Sequence, residues 1–189
     1  MIRLNYRLIY YFALVFIVFA CKHHQKKLKL KSKTDFALKN KVNNMDKIKK
    51  LSNSEIIQEK LNVSEKEIKN NSLYSFINDW YGVPYKNGGC LKNGVDCSCF
   101  TDILFDKVYN KKIARVANDI YNESVKLGIN EAKPGDLVFF KINSKTVSHI
   151  GVYLKDHFFV HASSSKGVMI SNLDEAYYKE YFFCIGKIK

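Results

Sequence analysis

The sequence predicts an α+β fold in which N-terminal helices pack on an antiparallel β-sheet. Leu73, Phe76, Ile77 and Trp80 recur at positions i, i+3, i+4 and i+7, which places one apolar stripe along a helix. Beyond a Pro-Gly turn near residue 135, short apolar segments of strand length replace the helical pattern. Helices followed by consecutive strands, rather than alternating with them, are typical of the α+β class.

Each predicted helix has a recognisable start or end. Ser52 and Ser64 each precede a glutamate by three residues, the pattern of a capping box, and the first of them predicts a helix over 54–61. Asp96 is a natural N-cap for a helix from Cys97 to Tyr109. Gly82-Val83-Pro84 ends the helix that carries the apolar stripe. In the Cys97 helix the side chains expected to face inward are Phe100, Ile103, Leu104 and Val108. A further helix is predicted to begin at Asn118 and to end at Gly128.

The C-terminal half is predicted to be mainly β-structure. The short turn at Lys155-Asp156 favours a hairpin between the predicted strands Ser148–Lys155 and His157–Ala162. Glycines between residues 88 and 94 predict a loop before the Cys97 helix. The predicted strands are Asp136–Lys141, Ser148–Lys155, His157–Ala162, Gly167–Ile170 and Phe182–Ile188, with a short helix over Leu173–Tyr178.

Residues 1–21 are predicted to be an export signal. Arg3 and Arg7 precede an uncharged apolar run of 12 residues, Leu8–Phe19, which suits the apolar region of a signal peptide. The last four residues of the segment resemble the lipobox of bacterial lipoproteins, which implies that Cys21 carries lipid. The alternative is a plain secretory signal or signal anchor with an incidental cysteine. Lys22 follows the cysteine, and the absence of aspartate at this position favours the outer membrane if the cell is Gram-negative.

The positive charge of the chain is concentrated near the N-terminus. The net charge is +13, and residues 22–71 hold 14 lysines against 6 acidic residues. Residues 22–63 are therefore interpreted as a basic, partly disordered tether, and residues 64–189 as the folded domain. Because the lysine-rich stretch has almost no aromatic residues, nucleic-acid binding is disfavoured. The chain is expected to be a monomer.

Five sequence blocks point to one known family. The blocks are Trp80–Gly89, Asp96-Cys97-Ser98, Pro134–Phe140, Ser148–Tyr153 and His161-Ala162-Ser163. Together they resemble the NlpC family of bacterial cell-wall cysteine peptidases. The resemblance implies a papain-like fold and hydrolysis of peptidoglycan stem peptides, typically at the bond between D-isoglutamate and the diamino acid that follows it. Alternatives are an amidase or acyltransferase of the same fold, or a degenerate wall-binding lipoprotein without activity.

The resemblance implies a catalytic set of Cys97, His149 and His161. A helix N-terminus and a nearby imidazole both favour a thiolate, so Cys97 in the first turn of a helix is a suitable nucleophile. His149 would take the thiol proton and later protonate the leaving amine. His161, on the adjacent predicted strand, would orient the first imidazole, as the carboxylate does in a serine triad.

Three further residues are candidates for binding. The hydroxyl of Tyr85, together with the backbone N–H of Cys97, could stabilise the oxyanion, although Tyr85 could also be a core aromatic. In the family, the residues matching Asp96 and Ser98 lie near the substrate amine. Asp96 could equally serve only as the helix cap.

The other cysteines and histidines are given no catalytic role. Cys99 stands where the family normally has glycine and is a rival nucleophile, but its side chain points roughly 200° around the helix from that of Cys97. A Cys90–Cys99 bridge is conceivable in an exported protein but is not expected, and Cys184 is interpreted as a buried apolar residue. No metal or cofactor is expected, because the remaining histidines lack partners at ligand spacing.

Overall fold

The computed structural model of the chain describes residues 53–189. Helix α1 covers 53–61, and a 3₁₀ turn covers Ile129–Glu131. The expected signal segment at 1–21, with Cys21, and most of the expected tether lie outside the described residues. The other helices are α2 Glu65–Asn70, α3 Ser72–Trp80, α4 Cys97–Tyr109, α5 Ala117–Glu123 and α6 Ala176–Tyr181.

The strands form a two-stranded hairpin and a six-stranded antiparallel sheet. The order in the large sheet is β3-β8-β4-β5-β6-β7, so that β5 and β6 lie side by side near its centre. This arrangement confirms the predicted α+β class, with helices first and an antiparallel sheet after them. The strands are β1 Cys90–Leu91, β2 Gly94–Val95, β3 Val125–Leu127, β4 Leu137–Phe140, β5 His149–Tyr153, β6 Phe158–Ser163, β7 Gly167–Asn172 and β8 Phe182–Lys187.

The two faces of the large sheet bury different clusters. In β4, Leu137 and Phe139 face the helices, whereas Val138 and Phe140 face the opposite side, as the period of two in a strand requires. The helical side contains the main core, and α6 contributes Tyr178 to the cluster on the other side. The sheet is therefore covered on both faces.

The folded unit begins before the expected boundary at residue 64. Ile57 and Leu61 of α1 are fully buried in the main core, so 53–61 belongs to the domain rather than to a tether. The capping prediction at Ser64 agrees with the structure, since its hydroxyl accepts the backbone N–H of Glu67 at 3.2 Å. Asn71 starts α3 separately, with its side chain accepting the N–H of Leu73 at 3.0 Å.

Three predicted elements differ from the structure. The short helix expected over Leu173–Tyr178 is displaced by three residues and covers Ala176–Tyr181. The helix expected to run from Asn118 to Gly128 ends at Glu123, because residues Val125–Leu127 pair with β8 as an edge strand. The glycine-rich stretch expected to be a loop contains the β1–β2 hairpin, with Cys90 opposite Val95. Among residues 53–189, no helix has the length and apolar character needed to cross a bilayer.

Candidate active site

Cys97 begins α4 at the end of the β1–β2 hairpin. Asp96 caps the helix, accepting the N–H of Cys99 at 2.8 Å, as its sequence position predicts. The N–H groups of the first turn have no partner within the helix and point towards its N-terminal end. The sequence therefore places a thiol at a helix N-terminus, where negative charge is favoured.

The thiol of Cys97 is nevertheless held in its protonated form. Only 8% of the residue is exposed, and this burial, with a smaller contribution from the Asp96 carboxylate, raises the pKa of the thiol. The backbones of Ile150, Ser98 and Cys97 itself act in the opposite direction without overcoming it. The helix end therefore lowers the pKa of the thiol, as expected, but the net shift is upward because desolvation is the larger effect.

Asp96 and Ser98 are joined by an arginine that sequence reasoning missed. Arg115 donates to Asp96 Oδ2 at 2.6 Å, to Asp96 Oδ1 at 3.0 Å and to Ser98 Oγ at 2.8 Å. Burial alone would raise the pKa of Asp96, but the hydrogen bonds from Arg115 and the Cys99 N–H hold it below its usual range. Both carboxylate oxygens already have partners, so the predicted amine-binding role of Asp96 would have to compete with Arg115.

His149 and His161 meet across the β5–β6 hairpin. His149 Nε2 lies 2.7 Å from His161 Nδ1, a direct hydrogen bond between the two imidazoles. The ladder pairs Val152 with Val160, so one step further Gly151 faces His161, and His149 is its diagonal neighbour on the same face. The hairpin expected from the short turn is therefore present, and it brings the two predicted histidines together.

The two histidines are neutral in the resting site. Burial lowers the pKa of His149 to about 4. Burial, followed by the proximity of His149, lowers the pKa of the almost completely buried His161 well below its ordinary range. Cys97 lies next to this pair, because the backbone of Ile150, the residue after His149, reaches its thiol. At neutral pH the resting site thus contains a thiol and two neutral imidazoles.

Tyr85 lies near the thiol of Cys97. Its backbone bridges to Val95, just before the capping residue of α4. Burial raises the pKa of the Tyr85 hydroxyl, with smaller contributions from Cys97 and Asp96, whose charges act on it. The hydroxyl is therefore protonated at neutral pH and available as a donor next to Cys97, where the sequence predicts an oxyanion partner.

Two residues behind His161 were also missed. Tyr178 Oη lies 3.1 Å from His161 Nε2, and Ser171 Oγ lies 3.3 Å from the same nitrogen. Ser171 comes from β7 and Tyr178 from α6, which are 10 and 17 residues away in the sequence. Neither belongs to a block of the family resemblance, and serine and tyrosine are too common for their types alone to indicate a role.

A cavity of about 290 Å³ opens on the histidine side of the site. It begins at His149 and His161 and extends to the β6–β7 turn, where Ser163 and Lys166 line it. The part of the chain that the structure describes contains no cluster of three His, Cys, Asp or Glu side chains suited to hold a metal ion.

The family to which the chain belongs follows from comparison with known proteins. The sequence model of the NlpC/P60 family matches residues 82–187, which include Cys97, His149, His161 and the six-stranded sheet. This match covers more than half of the chain. The chain belongs to the NlpC/P60 family. The resemblance found in the sequence blocks is thereby confirmed.

Curated NlpC/P60 relatives are similar over the same region. The chain is 40% identical over 107 residues to the probable endopeptidase NlpC homolog of Haemophilus influenzae, which covers 57% of this chain and 56% of that protein. It is 36% identical over 104 residues to the murein DD-endopeptidase MepS/murein LD-carboxypeptidase of Escherichia coli K12, covering 55% of each. The chain thus spans about half the length of these relatives.

Solved structures of NlpC/P60 proteins share the fold. A Staphylococcus aureus protein of the family, described as similar to lipoprotein, superposes with a TM-score of 0.57 at 25% identity. The superposition covers 67% of this chain and 42% of that one. The helices and antiparallel sheet therefore form the papain-like NlpC/P60 fold, as expected.

The cysteine that departs from the NlpC/P60 pattern is part of a disulfide. Cys99 is bonded to Cys90, with their Cα atoms 5.5 Å apart, so the expectation that this bridge is absent is wrong. The β1–β2 hairpin brings Cys90 against the first turn of α4, a contact that spacing did not reveal. Within residues 53–189 the free cysteines are Cys97 and Cys184. While bonded, Cys99 cannot compete with Cys97 as a nucleophile.

Proposed function

We propose that this protein is a cysteine endopeptidase that hydrolyses peptidoglycan stem peptides, at the bond between D-isoglutamate and the following diamino acid. The observation that carries the proposal is the hydrogen-bonded His149–His161 pair beside the buried thiol of Cys97. The intact set also argues against a degenerate, purely binding protein. The murein hydrolase name of the Escherichia coli relative supports the same substrate class.

The geometry supports acyl transfer through Cys97. Because His149 Nε2 is bonded to His161, its Nδ1 is the ring nitrogen left to accept the thiol proton. The sulfur then attacks the carbonyl carbon of the scissile amide as this proton moves to His149. The two neutral groups thus become an ion pair only as the substrate reacts, when bound substrate has displaced the remaining water.

The tetrahedral oxyanion that results needs donors close to the sulfur. The Cys97 N–H at the start of α4 and the protonated Tyr85 hydroxyl are placed to supply them. The imidazolium of His149 gives its proton to the leaving nitrogen, the C–N bond breaks, and a thioester to Cys97 remains. Water, deprotonated by His149, then attacks the thioester carbonyl and releases the acid and the free thiol.

The two sides of the site suit the two halves of such a substrate. Because His149 protonates the leaving amine, the cavity that begins at His149 is where the diamino acid would extend. The acyl half would then lie towards Tyr85 and the Asp96–Ser98–Arg115 cluster. This assignment places D-isoglutamate on the helix side and the diamino acid on the sheet side.

Defined muropeptides test the proposal. The full chain, purified in detergent with its Cys97→Ala variant as control, is incubated with uncrosslinked tripeptide and crosslinked muropeptides, and products are identified by mass spectrometry. Cleavage of the isoglutamyl–diamino acid bond by the wild type alone is the expected result. Cleavage only of the crosslink between diamino acid and D-alanine would leave a hydrolase but overturn the proposed bond. The absence of any Cys97-dependent product would overturn the function.

We also propose that the chain is anchored to a membrane of the bacterial cell envelope by lipid on Cys21, the membrane being the outer one if the cell is Gram-negative. The lipobox-like end of the signal segment supports this. Metabolic labelling with an alkyne fatty acid should mark the wild type and a Cys184→Ala control but not Cys21→Ala. Equal labelling of the Cys21→Ala chain would contradict the anchor.

A further inference from the structure

A chain of polar side chains continues behind the two histidines, on the side away from Cys97. His161 Nε2 faces Tyr178 Oη at 3.1 Å and Ser171 Oγ at 3.3 Å. The two hydroxyls are 3.3 Å apart, with Ser171 donating to Tyr178. The order of contacts is therefore His149, His161 and then a pair of hydroxyls from two other elements.

This chain is buried almost completely. Ser171 has no exposed surface, His161 is 1% exposed and Tyr178 is 9% exposed. The ring of Tyr178 packs edge-on against His161 and Phe159. A buried N–H in such surroundings must find an acceptor, because leaving it unpaired costs the full desolvation of the group. The hydroxyl oxygens are the acceptors that the structure supplies for Nε2 of His161.

The positions of the protons along this chain are linked. For His149 to accept the thiol proton at Nδ1, its own proton must be on Nε2, which then donates to Nδ1 of His161. Nδ1 of His161 must consequently be bare, so that the proton of His161 is on Nε2. An acceptor at Nε2 of His161 therefore decides, through one intermediate ring, whether His149 can act as a base.

We propose that Tyr178 and Ser171 are positioning residues that keep the proton of His161 on Nε2 and thereby keep His149 in the tautomer that can deprotonate Cys97. The inference rests on the proposed function for its catalytic consequence, but the tautomer itself can be measured without any substrate. Both hydroxyl oxygens can accept the Nε2–H of His161, so either one alone partly keeps the proton on Nε2. Loss of both leaves His161 Nε2–H buried without an acceptor, which favours moving the proton to Nδ1.

The proposal predicts a graded loss of kcat. Tyr178→Phe keeps the ring that packs on Phe159 and removes the nearer acceptor, and we expect kcat to fall about 10-fold. Ser171→Ala should cost less, and the double variant about 100-fold or more, since a buried donor is then unpaired. KM should change little for Ser171→Ala, because Ser171 has no exposed surface, whereas Tyr178 also lines the cavity and its variant is judged on kcat and on the tautomer. Tyr181→Phe, on the same helix, is the control and should keep the wild-type rate.

The deciding measurement is the tautomer of the histidines. The full chain, labelled with ¹⁵N-histidine and held at neutral pH, should show both His149 and His161 protonated on Nε2 in the wild type and in Tyr181→Phe. The double variant should show protonation of His161 on Nδ1, and Tyr178→Phe a mixture of the two forms. Unchanged Nε2 protonation in a folded double variant with wild-type kcat would overturn the proposal.

The same experiment separates this inference from the proposed function. If the wild type cleaves no muropeptide but the tautomer shifts in the variants, the function fails and the positioning role stands. If the wild type is active and the variants lose rate with both protons still on Nε2, the function stands and the positioning role fails. Should the double variant not fold, the spectrum of Tyr178→Phe decides, since that change preserves the packing of the ring.

Discussion

Arg115 binds both carboxylate oxygens of Asp96, the residue that caps α4. The two contacts are 2.6 and 3.0 Å long, and a third joins the same guanidinium to Ser98. Because Asp96 is 6% exposed and Arg115 lies nearer the surface, the pair anchors the tip of α4 from outside. The orientation of Cys97 thus depends on a residue 18 positions later in the chain.

Replacement of Arg115 by alanine should therefore destabilise the site. It leaves a buried carboxylate with fewer donors, and we expect a loss of about 1–2 kcal/mol in the free energy of unfolding, the ion pair being partly exposed. The pKa of Asp96 should rise at the same time. Urea denaturation measures the first effect, with Lys112→Ala, at an exposed ion pair with Asp106, as a control that should change little. Equal losses in both variants would contradict the anchoring role.

Gly151→Ala should separate the two histidines. A Cβ on Gly151 would lie 2.7 Å from the ring of Phe159 and 2.9 Å from the carbonyl oxygen of Val160, so β6 would have to move. We expect kcat to fall at least about 10-fold, since an ångström-scale displacement in a catalytic pair has effects of that order or larger. Muropeptide kinetics provide the measurement.

A matched glycine replacement distinguishes this effect from a general loss of stability. At Gly128 the added Cβ would meet only the end of the flexible Glu131 side chain, so Gly128→Ala should keep the wild-type kcat. A Gly151→Ala protein with both normal kcat and an intact histidine pair would show that β5 and β6 can adjust without cost.

The reactivity of Cys97 should depend on pH as that of a buried thiol does. Because burial raises its pKa, the thiolate fraction is small at pH 7 and increases as the pH rises past the ordinary range of cysteine. In a Cys184→Ser background, alkylation by iodoacetamide should be slow at pH 6–7 and accelerate into the alkaline range. His149→Gln should leave this profile nearly unchanged, because the resting imidazole is neutral. A fast plateau in acid would instead indicate a preformed thiolate–imidazolium pair.

Loss of the Cys90–Cys99 disulfide should lower stability while activity persists. Closure of a loop of this size is worth about 2–3 kcal/mol in the unfolded chain. The double variant Cys90→Ala/Cys99→Ala should therefore unfold at a lower temperature in calorimetry and still cleave muropeptides through Cys97. If the double variant were inactive while folded, the bridge would have a direct role in the site.

The sequence predicted the residues that lie in compact local patterns and missed those that depend on tertiary contacts. The cap and thiol of α4 and the His149–His161 hairpin follow from neighbouring residues and short turns. Residues Val125–Leu127 have a helical pattern, yet pairing with β8 makes them a strand, since tertiary contacts override local preference. Arg115 reaches Asp96 only because the chain after α4 folds back onto its tip, which no spacing rule anticipates.

The Cys90–Cys99 bridge also has a consequence for how this sequence can change during evolution. Each sulfur is bonded to the other, so a single substitution leaves an unpaired thiol and loses the bridge as well. A lineage that gains or loses one of these cysteines is expected to gain or lose the other soon afterwards. Cys97, two residues before Cys99, is constrained by its proposed role as the nucleophile rather than by the bridge. The two cysteines of this helical turn are therefore expected to vary independently during evolution.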